Sequence, residues 1–445
     1  MNRESQRINH FPVRVLDTLD PHFHQAFAQL LRWDENAASA VETTVADILL
    51  QIKNHGDTAL LDLTAQFDRI RLTVPELRFS HDEIQQAIDQ CRPQDVQALK
   101  LAAQRIRDYH TWQLPSMGLQ TYVDNQGTTL GQRLRPLQRV GLYVPGGLAS
   151  YPSSVLMNAL PARVAGVRQL VMTVPTPDGQ FNPLILAAAH IAQVDEIYRV
   201  GGAQAIAALA FGTQTIQPVD KIVGPGNIYV ATAKRQVFGH VGIDMIAGPS
   251  EILIISDGLT PPEWLAADML SQTEHDTSAQ AILITDQPDL ANKVNQALEE
   301  LLTRIQRREI CRTALANRSA IIITQSIDEA CRLASQCAPE HLELAVANPE
   351  RYLDAIENAG AIFLGRHTPE PIGDYVAGPN HVLPTSRTAR FSSPLGVHDF
   401  IKRTSIIGCS PQSLAAIGPA ASQLAAAEGL TAHQLSIDLR LDNPQ

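Results

Sequence analysis

The chain has 445 residues, of which 44% are hydrophobic and 18% are charged, and its formal net charge is -11. This length predicts two or more packed units, and the composition is typical of a globular protein with no membrane-spanning segment. The negative charge argues against a nucleic-acid-binding protein, because that affinity comes largely from Lys and Arg side chains that neutralise phosphates.

The amino terminus and the cysteines indicate a reducing compartment. No apolar run follows the basic residues at positions 1–17, so we expect no signal peptide and predict a cytoplasmic protein. The cysteines are scattered and odd in number, which argues against a disulfide framework and a thiolate metal site. They are Cys91, Cys311, Cys331, Cys337 and Cys409.

The first part of the chain predicts helices. Apolar residues recur with helical spacing over residues 41–67 and again over 93–112. Between them, Ser80 and Glu83 resemble a capping box that opens a further helix. We therefore expect an all-helical lead-in.

From about residue 140, short β-branched runs alternate with Ala-rich helical segments, which is typical of βαβ units around parallel sheets. A first series of strands is predicted at residues 140–144, 169–174, 197–201 and 220–224. A second series is predicted at residues 251–256, 281–285, 320–324, 342–346 and 361–365. These series predict two α/β units.

The carboxyl-terminal segment is too thin to fold alone. A Pro- and Gly-rich stretch follows Gly365, and an Ala-rich helix is predicted over residues 411–428. That helix has a long Ala, Leu and Ile face. We expect the tail to dock on the main body or on a second subunit.

Two pairs of polar residues are candidates for chemistry. Gln272 and His275 share one face at the end of a predicted helix and can present an amide oxygen and an imidazole nitrogen to one metal ion. The alternative is a structural or surface histidine. Glu340 and His341 follow Pro339 at a turn that enters a strand. They offer two bases, for a hydroxyl proton and for a water molecule, although a solvated turn is the alternative.

Two further pairs lie near the carboxyl terminus. Asp374 and His381 belong to the Gly- and Pro-rich stretch 371–385, and ordered loops of this length are usually functional. Glu428 and His433 flank the end of the tail helix. Helix termination by glycine is the alternative interpretation there.

Glycine-rich turns at residues 144–154, 200–204 and 223–227 each follow a strand and open a helix, so their N–H groups could bind phosphates. The last turn lacks the third glycine of the dinucleotide fingerprint, although Asp244 follows Gly224 at about the required spacing of 20 residues. The glycines could instead serve only the geometry of the turns.

Seven ordered strings closely resemble the histidinol dehydrogenase family: YVPGG, VGGAQAIAALAFGT, VDKIVGPGN, AGPSE, SQTEHD, APEHLEL and GDYVAGPNHVLPT. The resemblance extends from about residue 140 to the tail. It implies oxidation of L-histidinol through L-histidinal to L-histidine with two NAD, the last two steps of histidine biosynthesis. It also implies a homodimer with one zinc ion per active site.

The resemblance also implies a role for each motif residue. His341 would take the alcohol proton, and Glu340 would activate water against the aldehyde. The implied zinc ligands are Gln272, His275, Asp374 and, from the partner subunit, His433. The implied substrate contacts are Ser250, Gln272, His275, His341, Asp374, His381, Glu428 and His433. The implied NAD contacts are Tyr143, Gln204 and Asn227.

The implied fold is α/β, with two Rossmann-like doubly wound domains, a helical lead-in and a tail exchanged in a dimer. Residues 1–37 would form an arm. Residues 38–142 with 250–395 would form the larger domain, which carries most of the metal and catalytic site. Residues 143–249 would form the second domain, with the NAD contacts, and residues 396–445 would dock on the partner subunit.

One rival mechanism and two rival functions differ from this scheme. Cys337, three residues before Glu340, could form a thiohemiacetal, but an inert buried thiol is the preferred interpretation. A zinc hydrolase could use the same ligands, with Glu340 as its water base, and would not use NAD. A noncatalytic ligand-binding protein is the third alternative.

Overall fold

The computed structural model describes residues 13–32, 38–146 and 151–442. Parts of the predicted arm (1–12 and 33–37), of the first glycine-rich turn (147–150) and of the tail (443–445) lie outside the described residues. The strands are β1 (Arg14–Asp17), β2 (Gly118–Val123), β3 (Thr129–Pro136), β4 (Arg139–Tyr143), β5 (Gln169–Thr173), β6 (Glu196–Tyr198), β7 (Lys221–Val223), β8 (Gly242–Ile243), β9 (Glu251–Ser256), β10 (Gln280–Thr285), β11 (Ala320–Ile323), β12 (His341–Ala345), β13 (Ala361–Leu364) and β14 (Ile401–Gly408).

The helices alternate with these strands over most of the chain. They are α1 (Phe23–Leu30), α2 (Ala38–His55), α3 (Asp57–Phe67), α4 (His81–Gln90), α5 (Pro93–Gln113), α6 (Pro152–Ala165), α7 (Pro183–Ile191), α8 (Gly202–Phe211), α9 (Ile228–Val237), α10 (Pro262–Thr273), α11 (Pro288–Leu302), α12 (Arg308–Arg318), α13 (Ile327–Cys337), α14 (Glu370–Tyr375), α15 (Pro411–Ala427) and α16 (Thr431–Asp442). Short 3₁₀ turns lie at Val74–Leu77, Pro177–Gly179, Pro349–Ala355, Thr388–Arg390 and Val397–Phe400.

A six-stranded parallel sheet contains the whole second series of predicted strands. Its order is β1-β11-β10-β9-β12-β13. Every residue of β9, β10 and β12 is buried, which explains the continuous apolar runs in the sequence. Apolar clusters cover both faces, one with α10, α11 and α12 and the other with α1 and α13.

A five-stranded parallel sheet contains the first series, in the order β6-β5-β4-β7-β8. Numbered within itself, this sheet has the order 3-2-1-4-5, and strands β9 to β13 repeat that order in the larger sheet. In both sheets the strand order reverses beside the first strand, which is the doubly wound arrangement. The predicted pair of Rossmann-like folds is confirmed.

The predicted helical lead-in packs on the smaller sheet. Helix α4 begins with the expected capping box, since Ser80 N donates to Glu83 Oε2 at 2.8 Å and Glu83 N donates to Ser80 Oγ at 3.2 Å. Helix α2 packs on α8 and α9, whereas α5 packs on α6 and α7. The predicted grouping of residues 38–142 with 250–395 in one domain stays a prediction. Helical spacing identifies an apolar face but not the surface that covers it.

Strands outside the two predicted series were missed. Within the predicted arm, β1 pairs with β11 and forms one edge of the large sheet. Strands β2, β3 and β14 form an antiparallel sheet in which most residues are at least partly exposed. Because neither face of this sheet is fully buried, its sequence has no continuous apolar run.

The tail contains the predicted helix, here α15, followed by α16, and the two helices pack on each other. No residue of α16 is buried in this chain, and Leu424, Leu435 and Leu439 are all more than half exposed. Among the described residues, no helix is long and apolar enough to cross a membrane.

The packing of α5 on the smaller sheet predicts a difference between two residues of that helix. Ile106 is fully buried in the cluster that contains Val140, whereas Leu101 is largely exposed. We expect Ile106→Ala to lower the free energy of unfolding by about 2–5 kcal/mol, because it leaves a cavity. Leu101→Ala, the matched control, should change it by less than about 0.5 kcal/mol. Urea unfolding measures both, and equal losses would contradict the packing.

Candidate active site

The Glu340–His341 pair lies at the amino end of β12. Helix α13 ends at Cys337, and Ala338 takes a left-handed conformation (φ 48°) that turns the chain into the strand. Glu340 and His341 are 7% and 3% exposed. The predicted turn is confirmed, but its two polar side chains are buried rather than solvated.

The backbone N–H and C=O groups of Glu251, the first residue of β9, hold the side chains of Glu340 and His341. Glu251 N donates to Glu340 Oε2 at 2.9 Å, and His341 Nδ1 lies 2.9 Å from the Glu251 carbonyl oxygen. Because a carbonyl oxygen only accepts, Nδ1 carries the hydrogen and Nε2 is left as an acceptor. The pair is therefore set in the orientation and tautomer that a base requires.

Two carboxyl groups of α14 face His341 Nε2. Glu370 Oε1 lies 3.6 Å away and Asp374 Oδ1 lies 3.9 Å away. The three residues could each offer one ligand atom within 4.8 Å of the others. Among the described residues, neither His341 Nε2 nor Glu370 Oε1 has a hydrogen-bond partner. This group has unused capacity to bind a cation or a polar ligand.

Burial dominates the electrostatics of the pair. It raises the pKa of Glu340 well above its usual value, and the nearby carboxyl groups of Glu251, Asp374 and Glu370 raise it further. Burial likewise raises the pKa of Glu370 to about 9, with a contribution from Asp374. It lowers the pKa of His341, so the imidazole is neutral at neutral pH. A neutral His341 can accept a proton.

The end of α10 brings Gln272 and His275 to the same region. Gln272 is 1% exposed, and its Oε1 has no hydrogen-bond partner among the residues described. The ring of His275 stacks on Tyr151, with centroids 6.4 Å apart. Burial lowers the pKa of His275, and the charge of Asp374 acts in the opposite direction. The orphaned amide oxygen and the neutral imidazole are groups that a metal ion could use.

His381 connects the two α/β units. Its Nδ1 donates to the Asp374 carbonyl oxygen at 3.1 Å, which leaves Nε2 to accept from Ser154 Oγ at 3.2 Å. Ser154 belongs to α6 of the smaller unit. Ser250 directly precedes β9, so it lies at the same edge of the large sheet as the Glu340–His341 pair.

Glu428 and His433 are not brought to this cluster within one chain. Both are exposed at the junction of α15 and α16. Neither side chain makes a hydrogen bond or an ion pair with any residue that the structure describes. Their predicted contribution from a partner subunit stays a prediction.

The predicted NAD contacts lie at the carboxyl edge of the five-stranded sheet. Tyr143, which ends β4, accepts a hydrogen bond from Gly202 N at 3.2 Å. Gln204 is buried beside Gly202, and its Nε2 has no partner among the described residues. Asn227 is exposed and caps α9, accepting from two backbone N–H groups at 3.1 Å. These residues flank the point between β4 and β7 where strand order reverses, the usual ligand position in such sheets.

Within the described part of the chain, the turns at residues 200–204 and 223–227 do not form a standard dinucleotide cradle. At the start of α8, the Gly202 N–H donates to the Tyr143 hydroxyl, so it is not free for a phosphate. Asp244 accepts from Gly224 N at 2.7 Å and pairs with the buried Lys234. It is therefore not available to bind a ribose, as the fingerprint would require.

Sequence reasoning missed Glu370 and Glu251. The spacing of four residues between Glu370 and Asp374 was a usable signal, because it places two carboxyl groups on one face of a helix. The role of the Glu251 peptide had no signal, since it depends on strand pairing. Cys337 is buried and burial raises its pKa, so a thiolate nucleophile is disfavoured.

Comparison with known proteins gives one consistent result. The family model described as histidinol dehydrogenase matches residues 31–441. The chain is 56% identical to the histidinol dehydrogenase of Rhodospirillum rubrum, over 97% of this chain and 99% of that protein. It is 55% identical to that of Ruegeria pomeroyi, over 96% of this chain and 99% of that protein.

A solved structure agrees. The crystal structure of histidinol dehydrogenase from Elizabethkingia anophelis superposes with a TM-score of 0.91 at 36% identity, and the match covers 97% of this chain and 99% of that one. The family match, the relatives and the shared fold all extend over almost the whole length. The chain therefore belongs to the histidinol dehydrogenase family.

Proposed function

We propose that this chain oxidises L-histidinol through L-histidinal to L-histidine with two NAD, and that His341 and Glu340 are its two bases. Membership of the family makes it an NAD-dependent oxidoreductase of histidine biosynthesis. The assignment of the bases is carried by one observation. The Glu251 peptide holds Glu340 and His341 side by side in a buried site, with His341 Nε2 free.

In the first oxidation, His341 acts on the alcohol. Its Nε2 takes the hydroxyl proton while the carbon-bound hydrogen leaves as hydride to the nicotinamide, giving the aldehyde, NADH and an imidazolium. The bond from Nδ1 to the Glu251 carbonyl oxygen stabilises the imidazolium and prevents the other tautomer. A neutral starting state agrees with the lowered pKa of His341.

In the second oxidation, Glu340 acts on water. Its carboxylate takes one proton as the water oxygen bonds to the aldehyde carbon, which leaves the negative charge on the former carbonyl oxygen. The hydrate anion then gives a hydride to a second NAD, and the products are the carboxylic acid and NADH. A raised pKa makes Glu340 a stronger base once it is ionised. Because Glu340 is buried, bulk water has limited access to the aldehyde.

The residues present fit a zinc ion. We assign Gln272, His275 and Asp374 as ligands, together with His433 of the partner subunit. The support is the buried Gln272 oxygen without a partner and the crowding of Asp374 and Glu370, which a cation would relieve. When bound, zinc supplies Lewis-acid polarisation and a template for the substrate.

The remaining assignments follow from position. Ser250 and His381 would contact the substrate beside Asp374, and Glu428 of the partner subunit would complete that contact. Tyr143, Gln204 and Asn227 would contact NAD at the carboxyl edge of the smaller sheet. The homodimer is supported by the exposed leucines of α15 and α16, which have no cover in one chain.

The first test is the stoichiometry of cofactor reduction. With L-histidinol and excess NAD, the zinc-loaded enzyme should form two NADH per histidinol, measured by absorbance. A chelator should abolish turnover, and added zinc should restore it. Fully metallated protein that forms no NADH would support a zinc hydrolase or a binding protein instead.

The second test separates the two bases. Glu340→Gln keeps the size of the side chain but removes the base, so oxidation of L-histidinal by NAD should fall by about 10²–10⁴. Reduction of L-histidinal by NADH, which reverses the first step, should be largely retained because it uses His341. As a control, Cys337→Ser should keep most of both activities. Equal loss of both directions in Glu340→Gln would refute the division of labour.

The third test addresses the shared site. His433→Ala and Glu340→Ala should each inactivate the enzyme. In verified hybrid dimers, one site combines an intact Glu340 with His433 from the other chain. A randomly mixed sample should therefore recover about a quarter of wild-type activity. Hybrids that stay inactive would show that His433 acts within its own chain.

A further inference from the structure

The Lys234–Asp244 ion pair is the most buried pair of a Lys or Arg with a carboxylate in the described part of the chain. The two side chains are 2% and 1% exposed. Lys234 lies on α9, and Asp244 directly follows β8. Removing two charges from water costs more free energy than such a pair commonly returns, so the pair is not explained by stability alone.

Both ions bind the backbone of one residue, Gly224, in the turn that follows β7. Asp244 Oδ2 accepts from Gly224 N at 2.7 Å, and Lys234 Nζ donates to the Gly224 carbonyl oxygen at 3.0 Å. Gly224 thus has both of its backbone polar groups fixed by charged side chains. Bonds to charged groups are stronger than neutral ones and hold their partners more closely.

This turn packs directly against the proposed NAD site. Gly224 has φ +116°, and a Cβ atom there would lie 2.1 Å from the Tyr143 carbonyl oxygen. Three residues later, Asn227 caps α9, the helix that carries Lys234. The turn packs against Tyr143 and ends at Asn227, which caps α9. The ion pair connects α9 back to the turn, so these contacts join Tyr143 to Asn227.

We propose that Lys234 and Asp244 are positioning residues for NAD, which hold the Gly224–Asn227 turn against Tyr143. The inference rests on the proposed function, in which Tyr143 and Asn227 contact the cofactor. It also explains the spacing of Asp244 in the sequence. The carboxylate at the fingerprint position shapes the cofactor turn instead of binding the ribose.

The same sheet offers a matched control at its opposite edge. Arg139 and Glu196 open β4 and β6, and they form a two-pronged ion pair with distances of 3.0 and 2.9 Å. This pair is also largely buried. It belongs to the amino edge of the sheet, whereas the turn lies at the carboxyl edge. Its loss should destabilise the protein without moving the turn.

The experiment compares Lys234→Met with Arg139→Met in the zinc-loaded enzyme. NADH affinity is measured by fluorescence titration, together with Tm, kcat and the KM values for NAD and L-histidinol. Lys234→Met should raise the Kd for NADH and the KM for NAD by roughly tenfold, because the turn is released. Its KM for L-histidinol should stay within about twofold of wild type. Arg139→Met should lower Tm but leave the Kd within about twofold.

A second variant covers the case in which Lys234→Met does not fold. Asp244→Asn keeps the size of the side chain and one acceptor for Gly224 N, and it should raise the Kd in the same direction by a smaller factor. An unchanged Kd in a folded Lys234→Met or Asp244→Asn protein would overturn the inference. So would an equal rise in Arg139→Met. If the wild-type enzyme binds no NADH, that result would instead contradict the proposed function itself.

Discussion

The hydrogen bonds of the Glu251 peptide determine the geometry of the proposed catalytic pair. Strand β9 is one of the two central strands of the large sheet and pairs with β10 and β12 on its two sides. The N–H group of Glu251, its first residue, binds Glu340, and the C=O group of Glu251 binds His341. The Glu251 carboxyl group also accepts from the Ser386 N–H, which ties the 385–387 segment to the same residue. The strand register therefore fixes both bases on a rigid element.

The two sheets share one strand order but use opposite edges. Sites in doubly wound sheets usually lie at the carboxyl ends of the strands, and the candidate NAD residues follow that rule in the five-stranded sheet. The candidate catalytic pair lies instead at the amino end of β12, beside the amino end of β9. The hydrogen bond between Ser154 and His381 joins these two regions. Hydride transfer requires such a junction, because substrate and nicotinamide must meet at van der Waals distance.

Much of the fold was predictable because buried parallel strands carry continuous apolar runs. Both series of strands were found in this way. The capping box at Ser80 was found from its pair of residue types, and the tail helix from its Ala-rich composition. The hairpin of β2 and β3 was missed, since its residues are mostly exposed and mixed in polarity. The domain to which the helical lead-in belongs stays a prediction. A periodic apolar face does not specify which of two similar sheets will cover it.

The candidate site was predictable only in part. The motif residues were assigned by resemblance. The structure brings His341 within 3.6 Å of Glu340 and 3.9 Å of Asp374, and Asp374 within 3.8 Å of His381. Glu370 and the Lys234–Asp244 pair depend on neighbours that are distant in sequence or contributed by other elements. No local pattern shows whether a charged side chain is solvated or bound to a buried peptide.

The charge balance of the candidate site agrees with the proposed metal ion and the proposed dimer. Glu340, Glu370 and Asp374 are acidic groups around a neutral imidazole, and the carboxyl groups of Glu340 and Glu370 have raised pKa values because burial and mutual repulsion disfavour their ionised forms. In the proposed enzyme, zinc contributes the missing positive charge and lowers the cost of ionising Glu340. A tail docked from the partner subunit then covers the site and buries the leucines of α15 and α16. Zinc would thus offset the charge of the buried acidic groups, and the dimer would cover the leucines of α15 and α16 that are exposed in the single chain.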